Sequence, residues 1–155
     1  RDLRATPCPR HAEKGYVIVG QDTDGTVTPQ DLGMDWIVSK AKPDFIGRRS
    51  MLRSDTKRPD RKHLVGLLAD DPSIVIPDGA QIVEHVKDRP PMAMLGHVTS
   101  SYWSPSMDRS IAMGVVKNGR NRMGQRLYAC WDDKRIPMKV TEPKFFDPEG
   151  ARING

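Results

Sequence analysis

From residue 62 onward, short apolar runs alternate with turn-forming clusters too closely for the runs to be helices. His63–Ala69, Gln81–Val86, Met92–Thr99, Ser110–Lys117 and Arg126–Trp131 are rich in β-branched, apolar or aromatic residues, and Ile136–Thr141 makes a further run. Asp70-Asp71-Pro72, Pro77-Asp78-Gly79, Asp88-Arg89-Pro90-Pro91, Asn118-Gly119 and Asp132-Asp133-Lys134 punctuate them with residues suited to turns. Pro137 has no backbone N–H to give to a ladder, which restricts the last strand to an edge. This spacing predicts a small six-stranded antiparallel Greek-key barrel or sandwich, because closure or short strands limit exposed edges.

The first third of the chain follows a different pattern. Tyr16–Val19, between Gly15 and Gly20, reads as a short strand. Thr28 before Pro29 predicts a helix start: the hydroxyl caps, and proline tolerates the first helical position. Leu32 and Trp36, with Ile37 alongside, then give one apolar face over roughly three turns. Gly33 weakens that helix without ending it, and Pro43 stops it. Arg48–Arg53 reads as a second short helix. Asp55–Arg61 is charged, poor in apolar residues and contains Pro59, so a boundary falls there. The predicted organisation is a strand-helix segment over residues 1–57, a barrel over 58–146 and a surface tail over 147–155. Residues 1–12 read as an irregular lead-in. The fold class is mostly β, with an α+β beginning.

Composition qualifies this picture. The chain has 155 residues, enough for one medium domain, but only 37% are hydrophobic against 29% charged. Its 13 prolines and 13 glycines fit a loop-rich protein, part of whose surface is covered by something else. The net charge of +5 is dispersed, so a solvated surface and a polyanionic partner both stay open. Two cysteines, Cys8 and Cys130, have neither Cys-x-x-Cys spacing nor a dense framework and read as free thiols. No apolar run reaches the ~20 residues of a membrane span and no signal peptide is visible, giving a cytoplasmic expectation. Because it begins at Arg1, the chain reads as a piece of something longer.

Little in the sequence points to covalent or metal chemistry. No Gly-x-Ser-x-Gly elbow occurs, and Cys130 lies inside an apolar strand. The four histidines, His11, His63, His85 and His97, are scattered. Asp22-Thr23-Asp24-Gly25 lacks the glutamate a calcium loop needs at its end and reads as a turn. Gly119–Gly124 has glycines and cations without a phosphate-loop context. It reads as a hairpin loop or, if functional, as a contact for a polyglutamate tail or partner surface. Tyr102 and Trp103 sit in the Ser/Thr/Pro-rich stretch Thr99–Pro105, read as a loop in which they either plug the barrel end or wall a flat heterocycle. Glu13 and Lys42 are a further pair: a carboxylate accepts paired N–H groups, and a cation stabilises a ring oxygen.

The wording of several segments resembles the glycine-cleavage T-protein (aminomethyltransferase) superfamily, and within it the C-terminal part of the alpha subunits of heterotetrameric sarcosine oxidases. Glu13–Tyr16, Gly20–Pro29, Lys42–Gly47, Gly96–Ser100 and Ser110–Gly114 carry the likeness. It implies tetrahydrofolate as cofactor, with Glu13 holding the pterin and Lys42 and Tyr102 close to it. Lys42 stands where relatives often have arginine, and offers a point charge instead of a planar fork. The resemblance also implies that the half carrying a catalytic aspartate, and the flavin- and NAD-binding parts, lie outside this sequence. Expected partners are those missing parts and the other oxidase subunits, and the chain alone is expected to be inactive. Apart from the resemblance, a basic barrel with exposed aromatics that binds protein or RNA is the competing reading.

Overall fold

The structure, a computed structural model, describes residues 9–87 and 91–152. The expectations for residues 1–8, including Cys8, for the turn at 88–90 and for 153–155 lie outside the described residues. Six antiparallel strands close into a barrel: β1 (Lys62–Ala69), β2 (Gln81–Val83), β3 (Met94–Ser104), β4 (Arg109–Lys117), β5 (Arg126–Trp131) and β6 (Lys134–Thr141). Around the barrel their order is β1-β4-β3-β2-β5-β6, so β2–β3, β3–β4 and β5–β6 are sequence neighbours in contact. The connections after β1 and after β4 instead pass across the barrel.

Residue alternation explains why β1 and β4 are apolar along nearly their whole length. Val65, Leu67 and Ala69 of β1 and Ala112 and Val116 of β4 join Ile82, Val98, Leu127, Met138 and Val140 in the barrel interior. Leu64, Ile111, Met113 and Val115, on the opposite faces of the same strands, pack with Ala12, Tyr102, Val17, Leu32 and Phe145. The first third of the chain therefore lies on the outside of β1, β4 and β3. Those strands are covered on both faces and lose the polar alternation of a half-exposed sheet. Gly96 of β3 permits the close passage: a β-carbon there would collide with the Val115 carbonyl.

Several local expectations are corrected. Pro137 is not on an edge, since β6 pairs with both β5 and β1. Its carbonyl accepts from Asp70 N at 2.9 Å, so its missing N–H faces the same side, where β1 has just ended at Ala69. Thr99–Ser104 is strand, not loop, and is the second half of β3. Its register against β4 shifts between Val98↔Gly114 and Ser100↔Met113, which makes Thr99 the extra residue of a bulge. Thr99, Ser100 and Ser104, which look loop-like in sequence, are buried with carboxylates accepting from their hydroxyls, and the Ser101 hydroxyl donates to Ile111 O at 3.4 Å.

Tyr16–Val19 forms no strand. Gln21 N and Asp22 N turn back onto Ile18 O at 3.1 and 2.8 Å, leaving one isolated bridge, Val19↔Thr23. The helix expected from Thr28 closes a single turn, Leu32 N to Thr28 O at 3.3 Å, and ends at Gly33, whose φ is +73°. Asp35–Ile37 follows as a short 3₁₀ turn. Within the lead-in, Pro9–Glu13 forms a helix, α1, while Arg48–Met51 forms the expected short helix, α2. Gly119–Arg122 is a 3₁₀ turn in a crossing connection, because β4 and β5 are not neighbours. Residues 142–152 are a strap: Phe145 N and Phe146 N both donate to Glu13 O at 2.9 Å.

Candidate functional site

Glu13 closes α1 and is buried, 4% exposed. Its carboxylate accepts from the Ser104 hydroxyl at the end of β3 and from Ser106 Oγ at 3.2 Å. Tyr102 lies two residues before Ser104 on β3, and its hydroxyl accepts from Gln21 Nε2 at 3.4 Å. Burial raises the Tyr102 phenol above its usual range, outweighing the Gln21 contact. Glu13 and Tyr102 are thus brought to the same strand, each facing an inward network. Lys42 is exposed and, among the described residues, has no hydrogen-bond or ion-pair partner. The structure does not join it to the other two.

Lys14, the residue after Glu13, stands at a concavity built from segments far apart in the chain. Lys14 Nζ reaches the strap, donating to Asp147 O at 2.9 Å and Asp147 Oδ2 at 2.7 Å. Gly15, at φ +69°, passes so close to Pro143 O that a β-carbon would lie 2.5 Å from it. Together these hold residues 14–17 against the strap and leave a cleft of about 890 Å³ between them and the turn around Trp36. Val17, Leu32, Met34, Leu64 and Met123 give it an apolar lining, and the rings of Tyr16 and Trp36 stand at it, 59% and 78% exposed. Lys14, Arg120 and Lys144 contribute cations, against one carboxylate from Glu142. Arg120 and Met123 arrive from the connection after β4, nearly ninety residues away in sequence. The only hint in the sequence was the cationic character of Gly119–Gly124.

A second concavity, of about 380 Å³, lies where Asp31, Arg61, Asp60, Lys117 and His97 converge. Its charges largely satisfy one another. Arg61 Nη2 pairs with Asp31 Oδ2 at 2.7 Å, and Asp60 meets Arg58 at 2.8 Å and Lys117 at 3.3 Å. Burial pushes the Asp31 carboxyl up, but hydrogen bonds from Arg61 and Thr28 leave it below the usual value. Burial, with Lys62 nearby, holds His97 below the usual histidine value.

Asp22 is the buried acid that sequence reading missed by treating it as part of a turn. It is 1% exposed. It accepts from Ile18 N at 2.8 Å, Ser100 Oγ at 2.9 Å and the Thr99 hydroxyl. It fastens the first third of the chain to the bulge in β3. Among the described residues, no group of three or more His, Cys, Asp or Glu side chains is placed to hold a metal.

Comparison with known proteins places this arrangement. Residues 62–147 match the family described as glycine cleavage T-protein C-terminal barrel domain. The chain is 49% identical over 146 residues to the sarcosine oxidase subunit alpha of Corynebacterium sp. (strain U-96), covering 93% of this chain and 15% of that protein. It is 36% identical over 148 residues to the same subunit of Rhizobium meliloti (strain 1021), covering 92% and 14%. The glycine cleavage system aminomethyltransferase T of Bartonella henselae superposes with a TM-score of 0.73 at 28% identity, over 88% of this chain and 37% of that one. The chain thus spans only about one seventh of the length of the oxidase subunits that it matches. On the strength of the barrel match and the closed six-stranded fold, the chain belongs to the glycine cleavage T-protein family, of which it carries the C-terminal barrel domain.

Proposed function

We propose that this chain forms part of a folate site in a sarcosine oxidase alpha subunit, where tetrahydrofolate takes up the one-carbon unit from oxidative demethylation of sarcosine to give methylenetetrahydrofolate. The observation that carries the reading is the 49% identity to such a subunit over 93% of the chain, which extends well beyond the barrel into the residues before it. In this reading Glu13, Lys42 and Tyr102 are the folate contacts. An ionised carboxylate has about four acceptor sites. Ser104 and Ser106 each donate one hydrogen bond to Glu13, so capacity remains for the N–H edge of a pterin. Lys42, exposed and without a partner, would approach once the rest of such a subunit packs on this segment. Flavins and NAD would be held elsewhere in the whole enzyme, the other oxidase subunits would be its partners, and this chain alone would not turn over.

The test is titration of the complete enzyme and of this chain with a reduced folate, followed by tryptophan fluorescence. In the complete enzyme, Glu13→Gln should weaken binding on the order of tenfold or more, as expected for a lost hydrogen bond to a charged group. Unchanged affinity with the fold intact rejects Glu13 as a contact. RNA binding that falls steeply with salt would instead favour a basic barrel module.

A further inference from the structure

We infer that Ser104 and Ser106 are positioning residues that set the orientation in which the Glu13 carboxylate meets a ligand. The inference rests on the folate reading of Glu13 and deepens it by naming what aims the acid. The two carboxylate oxygens are held separately: Ser104 Oγ donates to Oε1, and Ser106 Oγ donates to Oε2 at 3.2 Å. A carboxylate gripped at one oxygen can still swing about its last carbon–carbon bond, whereas one gripped at both has its plane fixed. With one hydroxyl on each, both oxygens keep an acceptor position. Two acceptors in a fixed plane match a pair of N–H donors on one edge of a ring.

Glu13 differs from the other partly or fully buried acids of this segment. Asp31 pairs with Arg61 and Asp147 with Lys14, but among the described residues no cation pairs with Glu13, although it is only 4% exposed. Buried charges are ordinarily paired, so an acid held by two neutral hydroxyls alone is suited to a further donor from outside the chain. The Ser104 proton has little choice of partner. Met107 N donates to Ser104 Oγ at 3.2 Å, and the serine is 0% exposed, so its one proton is left for Glu13. Amide, hydroxyl and carboxylate then form a chain in which each bond polarises the next. Ser104 ends β3 and Ser106 stands in the connection to β4, with the fixed φ of Pro105 between them. From the other side, Phe145 N and Phe146 N both donate to Glu13 O at 2.9 Å. An acid fixed in advance at backbone and carboxylate loses little freedom when a ligand arrives, which strengthens binding.

The test is reduced-folate titration of the complete enzyme, followed by tryptophan fluorescence and run as a double-mutant cycle on affinity. Ser104→Ala and Ser106→Ala should each weaken the folate by at least about threefold, and Glu13→Ala by at least about tenfold. In the Glu13→Ala background each serine change should alter affinity by less than about twofold, a non-additivity that a general loosening of the fold would not produce. Ser106→Thr, which keeps the hydroxyl at an exposed position, should stay within about twofold of the parent. Circular dichroism checks that each variant is folded, and Ser106→Ala carries the same cycle if Ser104→Ala fails to fold. A serine effect that persists in full without Glu13 overturns the inference. So do serine variants within about twofold of the parent in an enzyme that Glu13→Ala weakens tenfold or more; there the folate reading stands and the positioning fails. A folded Glu13→Ala enzyme that keeps the parent's affinity rejects the folate reading itself, and the positioning falls with it.

Discussion

Replacing Asp22 by alanine would test how the first third of the chain is fastened to the barrel. The carboxylate is 1% exposed and accepts three hydrogen bonds, from Ile18 N, Thr99 Oγ and Ser100 Oγ. Its removal does not cost three full bonds. The single proton of the Thr99 hydroxyl can turn to Met113 O, 3.3 Å away, and Ile18 is near enough to the surface for water to replace its acceptor. The Ser100 hydroxyl, 0% exposed, has no such relief. An unsatisfied buried hydroxyl costs about 1–3 kcal/mol, and the other two losses add about 1 kcal/mol in total. The expected destabilisation is therefore about 3 kcal/mol, a large part of the 5–15 kcal/mol typical of a domain. Urea unfolding followed by circular dichroism should show the midpoint falling by about 1.5 M, for a slope near 2 kcal/mol/M. Asp22→Asn keeps one acceptor oxygen and should cost about half as much. A double-mutant cycle with Ser100→Ala should return a coupling of about 0.5–3 kcal/mol. A loss below about 0.5 kcal/mol for Asp22→Ala, or zero coupling, would refute the idea that this acid pins the segment to β3.

Other consequences can be checked singly. Gly96→Ala drives a β-carbon into the Val115 carbonyl, so β3 and β4 must part; a loss of about 3 kcal/mol or more, or insoluble protein, is expected, and an unshifted melting temperature would contradict the close passage. Lys14→Met removes both bonds to Asp147. Because Lys14 is partly exposed, about 1 kcal/mol is expected, with faster hydrogen exchange at the Phe145 and Phe146 amides; unaltered exchange would mean that the strap does not depend on Lys14. Burial lowers both His63 and His97 from the usual 6.5. The unfolded chain then binds protons at higher pH than the folded one, so stability is fully present above about 6.5 and declines as pH falls toward the folded values. Asp31, also lowered, adds a further loss below its usual 3.8. His97→Gln should flatten the decline between pH 7 and 5, and an unchanged slope would exclude His97 as a source.

The periodic half of the chain was readable because a strand's alternation records which face is buried. All six apolar runs became strands, and Arg126–Trp131 did so with its expected ends. Resemblance of short motifs reached the family. Sequence could not show that β1 and β4 are covered on both faces, because continuous apolar runs such as Leu64–Ala69 fit several kinds of buried segment. It also misjudged Thr99–Ser104. Hydroxyl-rich segments signal loops unless distant acceptors exist, and Asp22 and Glu13 are about eighty and ninety residues away. Tyr16–Val19 had strand-forming residues but no neighbouring strand to pair with, so its backbone turned on itself. Local propensity and periodicity thus determined the elements of the barrel. Only the tertiary structure decided which polar groups were buried as partners, and which remote segments enclosed the cleft at Trp36, because both depend on contacts between residues that no local pattern links.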